Sequence, residues 1–210
     1  MRQYKKTMII TSLITLLPLI LGLILWPKLP DTMPTHFGFD GEANGWSSKV
    51  TAVVGIPLFI LIIQWICVFA VLNDPKNQKI GNKVVNLVFW ICPLCSLICC
   101  FGAYSYSLGW NINVTDYVMF LLGAIFIIIG NYLPKCRQNY TVGIKLPWTL
   151  DDEENWNHTH RLAGKLWIAG GLVMIVNVFL RINWITFAVI VLMTVIPAVY
   201  SAVYHIRHRE

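Results

Sequence analysis

Six long runs of apolar residues set the pattern of this chain, at 8–26, 51–72, 84–106, 117–132, 163–180 and 184–204. A hydrocarbon core needs about 20 apolar residues of helix to cross it; five runs meet or approach that length, and 117–132 is the shortest. The runs are continuously apolar, without the period-2 alternation of lipid-facing strands. They therefore predict an all-α integral membrane bundle of six transmembrane helices rather than a barrel. Arg2, Lys5 and Lys6 precede the first run as they would a signal peptide. That run is longer than a signal core, however, and Pro27-Lys28-Leu29-Pro30 follows it in place of a small-x-small cleavage site, so it reads as a retained first helix.

Composition agrees with that reading: 57% of residues are hydrophobic and only 12% charged, against roughly a quarter charged in a soluble domain. The net charge of +6 acquires meaning once the sixteen Lys and Arg are sorted between the ends of the runs. Thirteen fall on one side: Arg2, Lys5, Lys6, Lys76, Lys79, Lys83, Lys135, Arg137, Lys145, Arg161, Lys165, Arg207 and Arg209. Only Lys28, Lys49 and Arg181 fall on the other. The positive-inside rule then places both termini in the cytoplasm of a multi-pass protein of the cell membrane. The basic balance is thus a topology signal and gives no ground for direct nucleic-acid binding. Trp26, Trp46, Trp110, Trp148, Trp156 and Trp184 sit near the predicted helix ends, where indoles favour the interface.

Inside the runs the chemistry is sparse. Cys67, Cys92, Cys95, Cys99 and Cys100 lie in predicted helices and Cys136 is cytoplasmic, so no structural disulfide is expected. Pro18, Pro57, Pro93 and Pro197 are expected to kink their helices, and the amides Gln64, Asn86 and Asn177 to hydrogen-bond between helices. No acidic or basic residue is predicted mid-membrane, which disfavours an ion-coupled transporter. Nor does the chain carry a nucleophile elbow, a Walker loop or a helical His-Glu-x-x-His zinc motif, so no catalytic residue, cofactor or metal is assigned and no enzymatic activity is expected.

Two polar islands carry what remains. In the extracytoplasmic loop 27–50, three prolines (Pro27, Pro30, Pro34) preclude regular helix, and Gly38, Asp40-Gly41 and Asn44-Gly45 supply turn chemistry for a compact, folded-back segment. Pro34, His36, Phe37, Asp40, Gly41 and Trp46, with Glu42, would display an aromatic and acidic surface suited to a cationic or amphipathic peptide. The same residues would also serve to pack the loop onto the helix ends.

The cytoplasmic loop 133–162 begins with the stop Asn131, Pro134, Lys135 and Arg137. An extended or turn segment through Asn139, Gly143, Pro147, Trp148 and Thr149 follows. Asp151, Asp152, Glu153 and Glu154 are suited to a helix start, continuing through Trp156 to His158, His160 and Arg161. His158 and His160 permit a zinc hypothesis; a docking surface formed with the cations is the expectation.

Both islands resemble one known family. Leu29-Pro-Asp-x-Met33-Pro34-x-His36-Phe37 through Gly41, Gly45-Trp46 and Lys49 resembles the DUF1648 membrane domain. Gly130-Asn131-Tyr-Leu-Pro134-Lys135-x-Arg137-x-Asn139-Tyr140, Gly143-Ile144-Lys145-x-Pro147-Trp148-Thr149 and Thr159-His160-Arg161 with Gly164 resemble the SdpI family. Lys145 stands where that family is expected to carry Arg at least as often. The resemblance implies an N-terminal DUF1648-like half over 1–106 and a C-terminal SdpI-like half over 107–210. It further implies immunity to a secreted antimicrobial peptide toxin bound at the outer loop, and a signalling surface on the inner loop that holds a cytoplasmic repressor of the ArsR type at the membrane. A small-molecule transporter, an envelope-stress sensor and a membrane metalloenzyme are the alternatives.

Overall fold

The computed structural model describes residues 2–38, 42–76, 82–110 and 112–208. Asp40 and Gly41 of the outer island, and Lys79 and Arg209 of the cation count, lie outside the described residues. Seven α-helices are present among those described: α1 (Lys5–Ile24), α2 (Ile56–Leu72), α3 (Asn82–Ser107), α4 (Val114–Tyr132), the short α5 (Pro147–Asp151), α6 (Glu153–Leu180) and α7 (Asn183–Arg207). Six helical segments are long and apolar enough to cross a membrane, matching the six runs. Their outward faces are apolar as well, with Phe59 63% and Phe179 81% exposed. Such continuous exposure suits lipid and would be a liability in water. All-α describes the spans, and the outer island adds a two-stranded sheet, β1 (Thr32–Phe37) and β2 (Ala43–Ser48).

The chain divides into two compact units, residues 1–69 with 86–118 and residues 70–85 with 119–210. In the first unit, α1, α2 and α3 are joined by polar groups buried among apolar ones. Gln64 donates to Thr11 Oγ1 at 2.8 Å and accepts from Thr15 Oγ1 at 2.5 Å, Ser96 donates to the Thr15 carbonyl at 2.8 Å, and Tyr104 donates to the Pro18 carbonyl at 3.0 Å. Where water is absent each of these groups must find a protein partner, and Gln64 makes the interhelical bonds expected of it. Asn86, in contrast, is exposed on α3. Pro57 follows directly on a π-helical turn at Thr51–Gly55 and lies inside a continuous helical run, where its missing N–H interrupts the backbone ladder.

The second unit is built on close crossings of α4 and α6. A Cβ on Gly130 would lie 2.8 Å from the Gly164 carbonyl and one on Gly164 would lie 2.7 Å from the Gly130 carbonyl; Gly123 and Gly171 repeat the arrangement one heptad away. Backbones approach this closely only where side chains are absent. Asn177 closes the turn into α7, donating to the Ile182 carbonyl and to Thr186 Oγ1, with Arg181 in the left-handed conformation at φ 54°. The cytoplasmic helix expected to start among the acids and the fifth apolar run prove to be one helix, α6. Asp152 caps it by accepting from the Glu154 and Asn155 amides.

Candidate functional site

The outer island folds as an antiparallel hairpin with Thr32 opposite Ser48, Met33 opposite Ser47, Pro34 opposite Trp46, His36 opposite Gly45 and Phe37 opposite Ala43. Its register slips on either side of His36, which turns the strand locally. Met33 is fully buried and, with Leu29, joins Ala52, Val53, Cys100, Ala103 and Tyr104 in one apolar cluster that seats the hairpin on its unit. Lys49 ties the base, 3.2 Å from the Asp31 carboxylate and over the Trp26 ring. Ser48 Oγ accepts the Thr51 amide at 3.2 Å and so joins the hairpin to the helix that follows.

Of the residues expected to form the outer surface, Pro34 is buried, Phe37 is half-buried, and His36 and Trp46 are exposed. His36 Nδ1 is 2.5 Å from Asn44 Oδ1, an interaction that puts the proton on Nδ1. Phe37 and Trp46 both meet Tyr106 edge to face, with ring centroids 5.6 and 5.9 Å apart. Reading the sequence did not single out Tyr106. An aromatic in the last turn of an apolar run was the available signal, but such residues are common at membrane interfaces.

In the inner island a buried amide organises the chain. Asn139 Nδ2 donates to the Arg137 and Val142 carbonyls at 2.8 and 2.9 Å and to Cys136 Sγ at 3.3 Å, while its Oδ1 accepts from the Thr141 and Val142 amides. Asp74, just past α2, accepts from the Tyr140 amide at 2.9 Å and the Thr141 hydroxyl at 2.5 Å. Gln138 spans to the Thr149 and Leu150 carbonyls and accepts from Lys76 Nζ at 2.7 Å. Asp74 and Gln138 were missed as well; a lone carboxylate directly after a span, beside Lys76, was the legible hint.

Gly143 has φ 123°, and a Cβ there would lie 2.5 Å from His160 Nε2. His160 is buried and stacks on Trp156 at 4.0 Å between centroids. Its Nε2 accepts the Ile144 amide at 2.9 Å and its Nδ1 faces the Trp156 carbonyl at 2.8 Å. Both ring nitrogens are therefore engaged by backbone, and only the neutral ring protonated on Nδ1 satisfies both contacts. Trp156 Nε1 in turn donates to the Cys136 carbonyl at 2.7 Å. Burial, with the Asp74 charge adding to it, pushes the Cys136 thiol up to about 11 against a lowering contribution from Asn139, leaving it an uncharged thiol at neutral pH.

Thr149 is buried and bonds the Ile144 and Leu146 carbonyls, and Trp148 Nε1 donates to Ser201 Oγ at 2.8 Å. Asn155 completes that link to α7 through Ser201. Within the expected signalling surface, then, Asn139, Thr149 and His160 hold the loop from inside and Gly143 and Trp148 are half-buried. Asn131, Pro134, Lys135, Arg137, Pro147 and Arg161 are exposed. His158, half-exposed, lies 3.8 Å from Glu154 and stacks on Tyr204. Among the described residues no group of three or more His, Cys, Asp or Glu is placed to hold a metal ion.

The two islands coincide with two recognised segments. Residues 13–61 match DUF1648, a domain of unknown function, and residues 135–201 match the SdpI/YfhL protein family. Over that second segment the chain is similar to the SdpI/YfhL family. The immunity protein SdpI of Bacillus subtilis (strain 168) is 28% identical over 199 residues, which cover 89% of this chain and 88% of that protein. No solved structure matches. The DUF1648 segment contains the hairpin, and the SdpI/YfhL segment contains the loop around Asn139 together with α5 and α6.

Proposed function

We propose that this chain is a membrane immunity protein: its outer hairpin receives a secreted antimicrobial peptide, and its inner loop docks a cytoplasmic partner, a repressor of the ArsR type. The observation that carries the reading is the hairpin itself, an ordered segment seated by Met33 and Lys49 that presents Phe37 and Trp46 in a chain related along most of its length to a protein named for immunity. Aromatic side chains offer large contact area at small entropic cost, which suits them to anchoring a peptide. The cation bias favours both termini in the cytoplasm, and on that reading the hairpin, after the first span, faces outward and the loop, after the fourth, faces inward. The inner loop is rigid underneath and cationic on top, through Lys135, Arg137 and Arg161, as a docking surface requires and without any bond-making step.

Expression in a sensitive strain challenged with the toxin against which the immunity protein SdpI of Bacillus subtilis (strain 168) protects tests the reading. Wild type should raise survival, and replacing Phe37 and Trp46 together by Ala should abolish protection at unchanged membrane abundance. Protection that persists in the double variant defeats the outer-hairpin assignment. Substituting Lys135, Arg137 and Arg161 should remove partner recruitment while protection remains.

A further inference from the structure

We infer that Tyr106, at the membrane end of α3, is a third contact residue of the peptide site, and that the peptide meets it while lying in the plane of the outer membrane interface; this rests on the immunity reading above. Tyr106 is 38% exposed and Trp46 51% exposed, so the rings form a packed cluster with an open side. It touches one ring from each strand, Phe37 of β1 at 67° and Trp46 of β2 at 71°. Those angles set the rings as a corner and leave no flat stack, which keeps apolar surface from both strands continuous with a residue of a spanning helix.

Depth identifies the occupant. Tyr106 belongs to the last turn of a segment that crosses the membrane, Asn82–Ser107, so the apolar patch begins at the lipid boundary. The described residues nearest the hairpin's tip, Glu42 and Asn44, are polar and exposed. A ligand arriving from water meets that polar edge first. An amphipathic peptide adsorbed to the outer leaflet holds its apolar face some 5–10 Å into the headgroup boundary, the level at which a residue ending a span resides. Indole and phenol rings favour the same layer, so contact with the peptide replaces lipid contact with little loss of hydration.

The test uses the intact protein in the same sensitive strain with the same toxin, and compares Tyr106→Ala with Tyr106→Phe. Removing the ring should lower the tolerated peptide concentration about tenfold, as loss of one aromatic anchor does, whereas Phe should retain protection. In parallel, p-benzoyl-phenylalanine replacing Tyr106 should give a photo-adduct with the peptide in membranes, and the same probe at the lipid-facing Phe59 should not. Full protection by Tyr106→Ala at wild-type membrane abundance overturns the inference. So does an adduct at Phe59 with none at position 106, a result that also decides the matter should Tyr106→Ala fail to accumulate. Failure of the immunity reading has a different signature: wild type gives no protection, or the Phe37 and Trp46 double variant protects in full.

Discussion

A single backbone angle shows how closely the inner loop is fitted. At φ 123° any side chain is strained, and at Gly143 it would also strike His160 Nε2 and the six-membered ring of Trp156. The sequence marks this glycine as part of a turn, but it cannot show that the space it leaves is filled by a histidine further along the chain. We predict that Gly143→Ala destabilises the loop by about 1–3 kcal/mol. Hydrogen exchange should accelerate at the Val142 and Ile144 amides, whose acceptors are Asn139 and His160, while the amides of the outer hairpin keep their protection. Unchanged exchange at Ile144 would show that the loop does not depend on this packing. Residue identity was thus legible at the motif level, whereas the internal roles of Asn139, Thr149 and His160 depend on partners that only the fold brings near.

Among elements, the spans were readable because continuous apolar runs need no partner to reveal them, and the join between the acidic start and the fifth run follows from the Asp152 cap. The strands were not readable. Pro34 removes a donor and the slips beside His36 break the two-residue alternation, so 32–48 scans as a turn-rich loop although 32–37 pairs with 43–48. Helix crossings were hidden too: Gly123, Gly130, Gly164 and Gly171 are unremarkable in sequence, and antiparallel pairing of α4 with α6 alone makes them a close approach. Here the obstructing atoms are backbone carbonyls, which cannot rotate away as a side chain would. Gly164→Ala should therefore cost about 1–3 kcal/mol, read as a lowered Tm in detergent. Gly55→Ala, whose new methyl would lie an ordinary 3.6 Å from Thr51 Cγ2, should stay within about 0.5 kcal/mol. Equal effects of the two substitutions would mean that helix propensity, and not the crossing, governs the response.

For the whole molecule, orientation decides which island meets the outside. Reversing the proposed topology would carry thirteen of the sixteen Lys and Arg across the membrane in place of three. Each such residue costs about 2.5–3.5 kcal/mol at the centre of a spanning helix, and retention of positively charged short loops is what fixes orientation during insertion. The exposed cations Lys135, Arg137 and Arg161 flank one end of α4 and α6, while the hairpin holds Lys49 against Asp31 and so presents little uncompensated positive charge of its own. The two islands are therefore distinguished electrostatically as well as by fold. Cysteine labelling in whole cells measures the outcome directly, since Cys136 is buried with its thiol protonated and contributes little background. A cysteine placed by Asn44→Cys should react with a membrane-impermeant maleimide in intact cells, and one placed by Arg137→Cys should react only after permeabilisation. The reverse pattern would put the SdpI/YfhL loop outside, and with it would fall the assignment of peptide recognition to the hairpin and of partner docking to the loop.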